Sequence, residues 1–171
     1  WKTSWDVNAM LPVYRDGKLF VSSNYKRGCM MIDLAADGAK KAWETKEVCA
    51  HYQPSILEEK VLYANSEGVF KCMSWPDGAI KWSTDKSEVP LGNGGTFVRF
   101  GGDKMLLLSD RGVLTLGKAT PEGFEKISQV TLFEGRDSWA SPVISGGRLY
   151  IKANVKGGKP SLTCYEFGAA Q

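Results

Sequence analysis

Short apolar runs separated by polar turns fill this chain, and four of them stand in matching surroundings: Leu19-Phe20-Val21, Val61-Leu62-Tyr63, Met105-Leu106-Leu107 and Leu149-Tyr150-Ile151. A basic residue opens each run, at Lys18, Lys60, Lys104 and Arg148, giving spacings of 42, 44 and 44 residues. Self-similarity at such a period marks a repeat architecture in which each unit is one supersecondary piece. Continuous apolar runs with β-branched and aromatic members predict strands buried on both faces. No unit carries a sustained 3.6-residue apolar period, which excludes a helical solenoid.

The units subdivide alike. Pro12, Pro54 and Pro142 each lie six residues before the basic residue, and Val98 takes that place in the third unit. Proline suits the first residue of a strand, where a missing N–H breaks no ladder bond. Tight turns are predicted at Asp16-Gly17, Glu58-Glu59, Gly101-Gly102 and Gly146-Gly147. Polar connections follow the second strands, at 24–27, 65–68, 109–112 and 154–159. Third strands are predicted near 29–34, 69–74, 113–117 and 162–167, and fourth strands end on Trp43, Trp82 and, more weakly, Ile127.

Four short antiparallel strands per unit describe the blades of a β-propeller. The expected fold is all-β, about four such blades in this chain, over 12–45, 54–84 and 96–130, with three final strands over 141–167. Trp1 precedes Pro12 by the same eleven residues that separate Trp43 from Pro54, so 1–6 reads as the last strand of a preceding blade. That strand could join the final three and close a ring of four. Alternatively, the chain is part of a ring of roughly eight blades, or a half-ring that pairs with its own copy. The larger ring is favoured because four-bladed rings are uncommon, although an isolated half would carry hazardous bare blade faces and strand edges.

Composition agrees with strands and turns: 19 Gly and 7 Pro among 171 residues, with six Trp, six Tyr and seven Phe to pack between sheets. The balance of 22 basic against 19 acidic residues leaves +3, which gives no argument for nucleic acid or another polyanion. No run approaches the roughly 20 apolar residues of a membrane-spanning helix, and residues 1–10 lack the charged and apolar regions of a signal peptide. Cys29, Cys49, Cys72 and Cys164 show no Cys-x-x-Cys spacing, and His51 is the only histidine, so zinc is not expected. All four cysteines are expected as buried, unpaired thiols. Cys72 and Cys164 share one repeat position with Met31 and Leu116.

Candidate chemistry gathers on the face where the second-to-third-strand turns and the inter-blade linkers emerge. Lys26, Arg27, His51, Tyr52, Asp110, Arg111, Trp139 and Lys156 fall there, and loops on a rigid scaffold are where binding resides. No catalytic set is visible: Ser55 and Asp110 lack a Gly-x-Ser-x-Gly setting, and His51 reads as a surface histidine beside a strand start. The run Gly92-Asn93-Gly94-Gly95 has no strand-to-helix context for phosphate and reads as a linker.

The segments Asp33-x4-Gly38-x4-Trp43 and Ser74-x3-Gly78-x3-Trp82 resemble the repeat of quinoprotein-type propellers. In that family the Trp packs flat against a peptide of the neighbouring blade. Trp43 and Trp82 match that role, and Trp1 would serve a blade upstream. The stretches 112–127 and 138–152 are similar to the last two blades of secreted bacterial pyrroloquinoline-quinone-binding-like repeat proteins. The outer-membrane assembly lipoprotein of the Bam complex shares their fold. The resemblance implies a periplasmic, secreted or envelope-associated scaffold, non-catalytic, that binds a protein or polymer partner. The quinone enzymes of this fold carry an adjacent cysteine pair, which is missing here, so no cofactor is expected. Pyrroloquinoline quinone with calcium, in an oxidoreductase whose catalytic residues lie outside this chain, is one alternative. A purely architectural domain of a larger assembly is the other.

Overall fold

The computed structural model describes residues 8–167, so Trp1 and the strand expected over 1–6 lie outside the described residues. Among the described residues, fifteen strands form three four-stranded sheets and one three-stranded sheet, each in sequence order across the sheet. The first sheet holds β1 (Val13–Arg15), β2 (Lys18–Ser23), β3 (Gly28–Ala35) and β4 (Gly38–Thr45). The second holds β5 (Ile56–Glu58), β6 (Val61–Ser66), β7 (Val69–Ser74) and β8 (Ile80–Ser83). In the third are β9 (Thr96–Phe100), β10 (Lys104–Leu108), β11 (Val113–Thr120) and β12 (Gly123–Thr131). The last comprises β13 (Val143–Ser145), β14 (Arg148–Ala153) and β15 (Ser161–Glu166). All pairings are antiparallel.

Strand alternation sorts each sheet's side chains between its two neighbours. Phe20, Cys29 and Met31 of the first sheet meet Leu62, Ala64 and Met73 of the second. The second sheet's other face sends Tyr63, Phe70 and Cys72 against Phe97, Met105 and Leu107 of the third. The third then presents Leu106 and Leu108 to Leu149 and Ile151 of the last. A sheet between two others is buried on both faces, which is why every residue of β6 is buried. The outer strands are wet on one side, and β12 is largely exposed. The sheets therefore stand side by side, not as two facing layers.

Their inner edges converge. Ser141, just before β13, donates from Oγ to Gln53 Oε1 of the segment before β5 at 2.8 Å, although the second and third sheets lie between them in sequence. Gln53 Nε2 reaches Phe97 O of β9 at 3.4 Å. First strands thus line a common axis and fourth strands face outward.

Strand pairing corrects three expectations. Glu58 pairs with Val61, so Lys60 lies in the hairpin turn, and Val61 takes the strand position of Lys18, Lys104 and Arg148. In the third sheet a bulge leaves Ile127 unpaired and 47% exposed, and Ser128 sits opposite Leu116. That is the register of Trp43 opposite Met31 and Trp82 opposite Cys72. Cys164 is exposed while the other three thiols are buried, because it lies on the last sheet's outer face, where Val143 and Leu162 are also exposed.

Candidate binding face

In an antiparallel sheet successive hairpin turns alternate ends. The inter-sheet linkers therefore share one end of the molecule with the β2–β3, β6–β7, β10–β11 and β14–β15 connections. Close backbone packing holds that end together. A side chain at Gly28 would strike Thr45 O at 2.2 Å, and one at Gly112 would strike Phe133 O at 2.1 Å. Both glycines hold positive φ, 103° and 102°, where a Cβ is strained as well.

Four rings cross this end in one line. Tyr25, in the β2–β3 turn, meets His51 edge-on with centroids 5.2 Å apart. His51 stacks on Tyr52 at 3.6 Å, and Tyr52 stacks on Trp139 at 4.2 Å with the planes 16° apart. His51 and Tyr52 belong to the linker between the first and second sheets, Trp139 to the linker between the third and fourth. The indole rests on Gly94, where a methyl group would come within 2.1 Å of the ring. Tyr25 is 63% exposed and Trp139 44%, so the two ends of the stack face solvent while its middle is held.

His51 is buried rather than the surface residue its context suggested. Burial lowers its pKa, so the ring is neutral near pH 7. The Tyr52 hydroxyl is raised, first by desolvation and then by nearby Tyr25 and Asp137.

The remaining sequence candidates divide. Asp110 knits linkers together: Oδ2 accepts from Gly94 N at 3.3 Å, its carbonyl accepts from Ser138 N at 3.2 Å, and its own N–H donates to Leu91 O at 3.3 Å. Arg111 is exposed on a cleft of about 390 Å³ shared with Glu67, Lys86 and Asn93. Lys26 donates its backbone N–H to Glu67 Oε1 at 3.2 Å, tying the first sheet's turn to the second's. Arg27 and Lys156 occupy exposed turns at the first and last sheets. The structure therefore joins His51, Tyr52 and Trp139 and ties Asp110 to the linker backbone beside Trp139, but spreads the cations apart. Tyr25 went unnoticed in the sequence; a large ring among the polar residues of a turn was its signal. Among the described residues no group of three His, Cys, Asp or Glu side chains could hold a metal ion, and no helix is long and apolar enough to cross a membrane.

At the rim of the sheets, Trp43 Nε1 donates to Pro76 O of the second sheet at 2.8 Å, and Trp82 Nε1 donates to Thr120 O of the third at 2.9 Å. Each indole thus docks on the third-to-fourth-strand turn of the next sheet. Trp43 also lies over Gly78, where a Cβ would come within 2.7 Å of the ring.

Comparison of the whole fold with solved structures gives one architecture. BamB from Moraxella catarrhalis superposes with a TM-score of 0.64 at 16% identity, over 95% of this chain and 45% of that one. The Cps50 (Swd1) β-propeller domain of Myceliophteria thermophila matches with a TM-score of 0.52 at 11% identity, over 90% of this chain and 56% of that one. The fold is a β-propeller. Its sheets are blades, and its likeness extends to a quinoprotein: a europium-containing methanol dehydrogenase matches with a TM-score of 0.54 at 11% identity, over 85% of this chain and 29% of that one. The chain spans under half the length of the BamB structure it matches. No family model and no curated protein matches the sequence.

Proposed function

We propose that this propeller is a non-catalytic scaffold of the bacterial envelope that binds a protein partner through its linker face. The observation that carries the reading is the Tyr25–His51–Tyr52–Trp139 stack, pre-organised by mutual packing and exposed at both ends. Exposed Tyr and Trp that are already rigid lose little side-chain entropy on binding, and such rings dominate protein interfaces. The buried His51 serves as the spacer of the stack, between Tyr25 and Tyr52. The likeness to BamB and the repeat's resemblance to secreted bacterial propellers support the envelope setting. The reading assigns no bound cofactor.

The test is recovery of partners from a bacterial envelope extract on the immobilised chain, compared with a Tyr25→Ser/Trp139→Ser variant. Tyr14→Ser, which removes an exposed ring at the opposite end of the sheets, is the control. Loss of two anchor rings should lower affinity by at least about thirtyfold, while the control retains its partner. Equal recovery by all three proteins would overturn the assignment.

A further inference from the structure

The end of the molecule opposite the linker face carries a second concave site, independent of the function proposed above. Between the second and third blades, the β5–β6 and β7–β8 turns on one side and the β9–β10 and β11–β12 turns on the other leave a cleft of about 520 Å³. That volume lies in the range of small-molecule sites. Val61, Tyr63 and Ala119, all buried, contribute to its wall.

Arg99 is the unusual member. It sits on β9 at a position that elsewhere in the interface is apolar, with only 20% of its side chain exposed. Its Nε pairs with Glu58 Oε2 across the blade junction at 2.7 Å, and its guanidinium carbon lies 5.9 Å from the centre of the Tyr63 ring. One terminal nitrogen, Nη1, is buried with no hydrogen-bond acceptor. Arg99 nevertheless lines the cleft with part of its side chain exposed, so its guanidinium is the charged donor group that an acceptor there would meet.

The rest of the lining says what kind of molecule carries that acceptor. Beyond the Arg99–Glu58 pair, the cleft has Glu59, Asp77 and Asp103 with Lys60 and Lys81. Phosphate esters and other polyanions would meet more carboxylates than free ammonium groups. A cation would face a guanidinium that has donors only. An apolar ligand would leave all these groups dry and unpaired. Hydroxyl groups, which donate to carboxylates and accept from Arg and Lys, satisfy both sets without net charge. We propose that the cleft between the second and third blades binds an uncharged polyhydroxyl ligand, a saccharide unit, with one oxygen accepting from the Arg99 guanidinium.

The experiment is a titration of the isotopically labelled chain, followed through its backbone amide NMR signals, with glucose and with N-acetylglucosamine disaccharide as probes. Acetate and inorganic phosphate are the anion arms. The expected result is saturable movement of the Lys60, Asp103 and Thr120 signals with at least one saccharide in the millimolar range, and none with either anion. Arg99→Lys, which keeps the charge and loses the fork of donors, should weaken binding at least about tenfold. Asp103→Asn, at the less buried rim, should weaken it by a smaller factor and keeps the test decisive if the Arg99 variant unfolds. Saturation by acetate or phosphate instead, no saturable shift with either saccharide, or unchanged affinity in the Asp103 variant would overturn the proposal. Because the linker-face rings are untouched by these changes, failure here leaves the partner-binding reading where it stood.

Discussion

Trp43, Trp82 and Ser128 hold one register in three successive blades, and the exchange of indole for hydroxyl changes how the blades join. The two indoles combine ring packing with a hydrogen bond to the next blade. Beyond Ser128 the junction relies on Leu106, Leu108, Leu149 and Ile151 with flanking aromatics such as Phe100 and Phe167. The cysteines make the same point about position. Burial raises the Cys29 thiol to about 12 and the Cys72 thiol to about 11, and Cys49 is also raised, mainly by burial. At pH 8 these three hold little thiolate, the reactive form. Cys164, equivalent to Cys72 in the repeat, is exposed. Ellman's reagent at pH 8 should therefore modify one thiol rapidly in the native chain and the other three only on unfolding. Rapid reaction of two or more would contradict the packing of the first three blades.

At the scale of elements, hairpin turns fix each blade's register. Asp16-Gly17 and Glu67-Gly68 hold positive φ at both central residues, 49° and 75°, then 50° and 89°, the geometry that matches strand twist. Gly112 has a stricter task, since the chain leaving its own blade crosses directly over it at Phe133. Gly112→Ala should lower stability by about 2 to 3 kcal/mol, from strain and the forced shift of Phe133. Urea unfolding would show this as a lower midpoint with an unchanged slope; an unaltered midpoint would mean that the linker yields freely. The turn glycines and strand cores were legible in the sequence because local sterics and burial on both faces select those residue types. Lys60 was misplaced because its run has a basic residue followed by apolar ones whether the turn ends before or after it. Only the pairing of Glu58 with Val61 decides. Ile127 was misread for a related reason: a bulge shifts the register by one residue, and nothing in the local pattern announces it.

Across the whole molecule, packing runs from each blade to its neighbour, through one apolar cluster per junction. Stability in such an array is close to a sum of blade and junction terms. The strands buried on both sides, β6 and β10, should therefore show the slowest amide hydrogen exchange in this chain. The strands β13–β15, covered on one face among the described residues, should exchange first. Uniform protection across all blades would instead indicate a single cooperative unit. The linker-face stack is a further whole-molecule feature, since it brings residues 51–52 against residue 139 across the axis. Sequence placed these residues on one face through the order of turns, but their distance around the ring follows from the number and tilt of the blades between them.

By itself the sequence determined the repeat, the four-stranded unit, most of the turn positions, and Trp43 and Trp82, which join one unit to the next. These are consequences of side-chain volume, turn sterics and strand alternation within about forty residues. Tertiary structure alone decided which side chains from distant units meet: the four contacting rings, the buried His51 among them, and Arg99 set over Tyr63 with an unpaired donor. Such contacts depend on how whole sheets are arranged about their axis, and that arrangement is fixed by packing between faces and not by any local pattern.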